Sequence, residues 1–294
     1  MVDFFTDLTR FTFLQYALVA GLLGSVACGI VGSYITSRRI VSIAGAIAHS
    51  TLGGMGAAVF VRRTWGIEAL SPLHGAAAAA LMAAVVIGLL TVYGKQREDT
   101  VLSAVWAVGM AVGILFISRT QGYATDLMSY LFGNILMVRK VDLWVIGGLD
   151  IVVVCVGLLF YNKLQALCFD EEYARLRGVH TGFFFLLLLC LAALTIVVLI
   201  RVVGIVMAIA LLALPAATAG HLTRRLWQMM VLAVVLCSVY TTGGLALSYT
   251  PDLPAGATII VLAGTTYLLV IAGMHPARRP AKRRGRERLE SRTR

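Results

Sequence analysis

TGFFFLLLLCLAALTIVVLI, residues 181–200, runs the thickness of a membrane without one charged side chain. At 1.5 Å per residue, a helix of this length reaches about 30 Å, the depth of a bilayer's hydrocarbon core. Comparable apolar runs recur on both sides of it, separated by short charged punctuation. The expected spans are 12–36, 40–61, 74–93, 100–118, 142–161, 181–200, 203–219, 226–247 and 255–273. The fold class that follows is an all-α, polytopic transmembrane helical bundle of eight or nine spans. Residues 1–274 form the transmembrane domain, and 275–294 a basic tail expected to be disordered.

Composition excludes a water-soluble domain. Of the 294 residues, 60% are hydrophobic and 13% charged, about half the charged share of an ordinary soluble domain. Polar groups this scarce cannot cover a water-facing surface, so membrane lipid must cover most of it. The net charge of +11 does not signal nucleic acid, because the tail holds nine Lys and Arg against Glu287 and Glu290 and so supplies +7 of it. A basic run directly after a span is what the positive-inside rule expects of a cytoplasmic tail facing anionic lipid. The five cysteines are dispersed with no C-x-x-C pair and read as small buried hydrophobes. Asp3 and Asp7 precede a first run long enough to span, which argues against a secretory signal.

Sidedness follows from the placement of Lys and Arg. With the tail inside and nine alternating spans, the inner side holds 18 of the 25 basic residues, Arg38 and Arg39 among them. The opposite orientation inverts that ratio, which the rule disfavours. Nine spans with the N-terminus outside is the expected arrangement, and eight spans with it inside is the alternative. Two segments are weaker. Residues 126–138 (DLMSYLFGNILMV) are too short to cross and are expected to re-enter or lie at the outer interface. The span at 203–219 is short and is expected to end in Pro215. Such irregular helices persist at membrane depth only where protein or a cavity surrounds them. Small residues crowd the first two spans, at Gly21, Gly24, Gly29 and Gly32 and again at Gly53, Gly54 and Gly56. They permit close helix approach, within the chain or at a dimer seam, and the first reading is preferred.

One polar insertion, FDEEYARLRGV at 169–179, interrupts the apolar pattern. It reads as a short amphipathic helix in the cytoplasm. Asp170, Glu171 and Glu172 are expected in its first turn, Arg175 and Arg177 in its last, and Gly178 as its C-terminal stop. Ionisable groups inside spans are the other functional candidates. His49 stands in AGAIAHSTLGG, where it is either a metal ligand or an imidazole satisfied by a carbonyl. Asp150 stands inside IGGLDIVVV, and Asp126 lies near the outer face. Asp252, Pro254 and Gly256 form an outer turn into the last span, which also offers a docking surface.

The insertion resembles the coupling helix of the zinc/manganese/iron-type permeases of ATP-binding-cassette importers, whose pattern is F-D-x-x-x-A-x-x-x-G. Four more stretches resemble that family in the same order: 37–54 (SRRIVSIAGAIAHSTLGG), 126–136, 203–219 (VGIVMAIALLALPAATA) and 248–262 (SYTPDLPAGATIIVL). The resemblance implies a permease in the bacterial plasma membrane, paired with a second permease subunit, identical or different. It also implies cytoplasmic ATPase subunits and an extracytoplasmic metal-binding protein. Phe169, Asp170, Glu171, Ala174, Arg175 and Gly178 would then meet the ATPase, and Asp252, Pro254 and Gly256 the binding protein. His49, Asp126 and Asp150 are the metal candidates, the transported divalent ion being cargo and no cofactor being held permanently. One departure stands out. Many relatives carry Gly-Asp where this chain has Ala44-Gly45, so the carboxylate four residues before His49 is missing.

No G-x-x-x-x-G-K-[ST] occurs, so ATP would be used by a partner subunit and the chain is no enzyme by itself. The competing class is a gradient-driven secondary transporter or channel for a small cation. Such proteins need intramembrane acids and internal repeats, and Asp150 is the one good candidate acid here.

Overall fold

The computed structural model describes residues 7–67, 70–94, 98–120, 133, 135–251 and 253–274. Eleven α-helices follow one another among them: α1 (Thr12–Arg38), α2 (Val41–Trp65), α3 (Pro72–Tyr93), α4 (Glu98–Ser118), α5 (Lys140–Leu159), α6 (Tyr161–Phe169), α7 (Glu171–Leu176), α8 (Thr181–Val203), α9 (Ile205–Leu222), α10 (Leu226–Tyr249) and α11 (Ala255–Met274). Nine of these are long and apolar enough to cross a membrane; α6 and α7 are not. Among the described residues there is no strand. The all-α, nine-span expectation is met.

α1 is the centre of the bundle. It packs against α10, α9 and α5, while α2 is held between α3 and α4, and α8 joins the two groups through α3, α9, α2 and α1. Leu14, Tyr34 and Ile35 of α1, Ile43 and Ile47 of α2, and Leu188 and Leu189 of α8 are fully buried. α4 and α11 lie at the periphery and show most of their apolar surface. Small residues draw these helices together inside the chain. A Cβ on Gly54 would collide with the carbonyl oxygen of Gly75 in α3, and one on Gly53 or Gly56 would press on Gly109 or Gly113 of α4. The Gly-rich runs are therefore intrachain seams.

Three local expectations change. The run at 142–161 is not one straight span: α5 stops at Leu159, Phe160 leaves helical geometry with φ −107° and ψ 15°, and α6 continues as a separate helix. The helix bearing Pro215 does not end there but runs on to Leu222, with Pro215 buried inside it. Asp170 is not in the first turn of its helix. Its extended backbone places it before the helix, as the cap.

α8 and α9 are joined by Gly204 alone, at φ 80° and ψ 169°. That region is open essentially to glycine only, and it turns the chain in one residue. Gly133 presses on the same corner: a Cβ there would collide with the Val203–Gly204 peptide. The short 3-10 turn Ile135–Met137 follows, with Ile135 buried against α1 and α8. Within the weak 126–138 segment, Ile135 and Val138 are thus packed into protein, while Met137 is exposed. Residues 126–132 and the tail 275–294 lie outside the described residues.

Candidate functional site

Two places gather the functional candidates. The first is the middle of α2. His49 is half-buried, and its ring stacks on Trp106 of α4 with centroids 4.6 Å apart and planes 5° from parallel. Trp106 is steadied by its own Nε1–H, which donates to the Met110 sulfur at 2.9 Å. One face of the imidazole is thus covered, while Nδ1 is buried without a hydrogen-bond partner. No carbonyl satisfies that nitrogen, so it remains free to serve as a donor atom. Four residues earlier, a Cβ on Gly45 would meet nothing within 4 Å. The space where a carboxylate side chain would stand beside His49 is open.

Asp150 is elsewhere. It sits in α5, 7% exposed, facing the Ala27 backbone and Cys28 of α1, and no side chain bonds either carboxylate oxygen. α5 packs on α1, whereas α2 packs on α3 and α4, so the two candidates belong to different helix groups. Among the described residues, no three His, Cys, Asp or Glu side chains come together as a metal cage. Asp126 lies outside the described residues.

The second place is the end of the bundle that carries α7. Asp170 caps this helix, accepting the Tyr173 N–H at 2.9 Å. Ala174 is 1% exposed and anchors it to the bundle. Gly178, at φ 78°, closes it: Gly178 N–H donates to the Arg175 carbonyl and Val179 N–H to the Ala174 carbonyl, each at 3.0 Å. This paired pattern is the Schellman stop, which favours glycine at the left-handed position. Glu171 faces inward. It pairs with Arg175 at 2.9 Å and with Arg38, the last residue of α1, which also donates to the Leu167 carbonyl at 2.9 Å. Burial pushes the Glu171 carboxyl up, but the two guanidiniums outweigh it and hold it below the ordinary carboxylate range. Phe169 and Leu176 point outward, 65% and 87% exposed, and Tyr173 is exposed beside them. The result is a short helix locked on its inner side, whose outer face sets Phe169, Tyr173 and Leu176 among the charged Glu172 and Arg175.

Beneath it, Cys168 is buried, its thiol pushed up to about 12 by that burial, and it donates to the Tyr34 carbonyl at 3.6 Å. Lys163 of α6 lies over the rings of Phe160 and Phe184, which ties α6 to the start of α8. At the other end of the bundle, Pro254 is exposed and its carbonyl accepts from Thr258 in the first turn of α11, which contains Gly256. The expected turn into a helix is present there; Asp252 lies outside the described residues.

Sequence reasoning misses two residues. Arg38 counts there only as a sidedness marker, although its position directly after a span and before a charged insertion is the available signal. Trp106 is invisible, because an aromatic residue in an apolar run reads as ordinary core.

The chain as a whole is similar to known proteins. Residues 10–274 match the ABC 3 transport family. An uncharacterized membrane protein of Synechocystis is 40% identical over 272 residues, 92% of this chain and 94% of that one. The manganese transport system membrane protein MntC of Halalkalibacterium halodurans is 32% identical, covering 90% of this chain and 89% of its own. Among solved structures, a chain of PsaBC from Streptococcus pneumoniae in complex with Fab is 29% identical, with a TM-score of 0.79 over 92% of this chain and 94% of that chain. With the match spanning every crossing helix, this protein belongs to the ABC 3 transport family.

Proposed function

We propose that the chain is the membrane-spanning permease subunit of an ATP-driven importer for a divalent transition metal: manganese, zinc or iron. The observation that carries this reading is the family match over residues 10–274, and a relative named for manganese transport supports it. The gradient-driven alternative rests on Asp150 alone and has no comparable support.

Two permease subunits would frame the ion path, and the metal would arrive from an extracytoplasmic binding protein at the end bearing Pro254 and Gly256. His49 offers a neutral nitrogen to it. With Gly45 in place of a carboxylate, the remaining ligands come from other groups on the path, Asp126 and Asp150 being the acidic candidates. A borderline divalent ion accepts such mixed nitrogen and oxygen ligands.

At the opposite end, the exposed Phe169, Tyr173 and Leu176 offer a partner ATPase an apolar grip. Movement of α7 is transmitted through Glu171 to Arg38, hence to α1, which touches α5, α9 and α10. A push on a six-residue helix thereby reaches the centre of the bundle, as alternating access requires. The test is transport in vesicles containing the chain, its ATPase and the binding protein. Uptake of radioactive manganese, zinc or iron should require ATP on the ATPase side; uptake driven by an ion gradient without the ATPase would overturn the reading.

A further inference from the structure

A cavity of about 440 Å³ opens at the same end as α7, between the last turn of α1, Phe169 at the end of α6, the α9–α10 turn and α11. Arg39, His221, Arg224 and Arg225 stand around it, and no carboxylate lines it. None of the three arginines forms an ion pair among the described residues. The Thr36 hydroxyl, which also lines the cavity, is buried without a hydrogen-bond partner. The positive charge at this rim is carried by the side chains of Arg39, Arg224 and Arg225.

Arg39 is informative in its own right. It is the one non-glycine residue with positive φ, at 64°, among the described residues. α1 ends there with the Schellman pattern, Arg39 N–H to Thr36 and Ile40 N–H to Ile35. Glycine would take that position without strain. A cation occupies it instead, on the wall of the cavity.

The inner wall differs in character. Ala217 and Met229 line it, and Tyr267 of α11 closes one side, its ring 6.1 Å from that of His221. α11 is a peripheral helix, and Leu268 and Leu269 beside Tyr267 are exposed. A cationic rim above an apolar wall, continuous with the exposed apolar side of α11, matches an amphiphile rather than a soluble ion. We propose that this cavity holds the phosphate headgroup of an anionic phospholipid, whose acyl chains lie along α11. Basic pockets between spans at the boundary with an anionic leaflet are suited to such headgroups. An inorganic phosphate would use the rim and leave the apolar wall empty.

The full-length chain in detergent, offered phosphatidylglycerol or phosphatidylcholine, provides the test, with lipid retained on the protein measured by native mass spectrometry. Phosphatidylglycerol should be retained selectively, and Arg224→Gln with Arg225→Gln should weaken that retention roughly thirtyfold. Removing two charges from the tail, Arg292→Gln with Arg294→Gln, should leave it unchanged. Arg39→Gly guards against misfolding as an explanation: it relieves the strained backbone, so the variant should melt no lower than the parent in phosphatidylcholine, yet retain less phosphatidylglycerol. Equal retention of both lipids, or equal loss in the tail variant, would overturn the proposal. So would displacement by millimolar inorganic phosphate, which marks a soluble-anion site, or by the assembled ATPase, which marks a protein-docking surface.

Discussion

His49 has a covered face, an unpartnered Nδ1 and an open neighbour at Gly45. Two opposite substitutions follow. His49→Ala should abolish most metal uptake while leaving the protein folded, since the ring is only half-buried. Gly45→Asp places a carboxylate one helical turn before the imidazole, in space that is already empty, and should raise metal affinity at least severalfold by adding an oxygen ligand. Titration of the purified variant with manganese and zinc reads this directly; unchanged affinity would place the ion away from His49. At the other end, Glu171 gives a dependence on pH. Its carboxyl is held below the ordinary range by Arg38 and Arg175, so the folded protein binds that proton less readily than the unfolded chain does. The tie therefore contributes stability above the ordinary carboxylate pKa of about 4.3 and loses it as pH falls through the lower folded value. Glu171→Gln should lower the melting temperature at pH 7, and its difference from the parent should shrink below about pH 4. A constant difference across that range would mean that the charge is not what holds α7.

At the scale of the element, the α8–α9 corner rests on one residue. Gly204 takes a conformation that other residues adopt only under strain, so Gly204→Ala should cost about 1–3 kcal/mol, visible as a lower melting temperature in detergent. The flanking residues cannot take over the turn, because Val203 and Ile205 are both β-branched and buried. An unchanged melting temperature would mean that the corner relaxes without them. Most elements are legible in the sequence for a simple reason: lipid demands about twenty apolar residues per crossing, and a run such as 181–200 has no use in a soluble domain. Direction is what the apolar pattern does not show. A kink at Phe160 breaks no such pattern, so 142–161 reads as one span. Pro215 reads as a stop because it removes a backbone donor, yet α9 passes through it within the packed bundle. Likewise Asp170 reads as a first-turn acid, although Asp is equally suited to capping and the extended backbone decides between the two. The candidate site is legible in part: the imidazole and the insertion stand out as polar groups among apolar ones. Their partners Trp106 and Arg38 do not, since pairing across helices leaves no trace in sequence spacing.

For the whole molecule, the decisive quantity is which end faces the ATP supply. Arg38, Arg39, Arg175, Arg224 and Arg225 gather at the end that carries α7, through the Glu171 ties and the walls of the basic cavity. Arg62 and Arg63 close α2, which starts from that end and crosses away from it. Charge bias therefore favours a cytoplasmic α7 end. The lever reading needs this sidedness, because an ATPase can grip Phe169 and Leu176 only from within the cell. A background in which the native cysteines are replaced makes it measurable. Single cysteines introduced at Arg62 and at Arg175, both on exposed surface, are treated with a membrane-impermeant maleimide on intact cells and then on opened cells. The cysteine at position 62 should react in intact cells and the one at 175 only after opening. The reverse pattern would put α7 outside, where no nucleotide-driven partner could reach it, and the coupling through Arg38 to α1 would have no motor to serve.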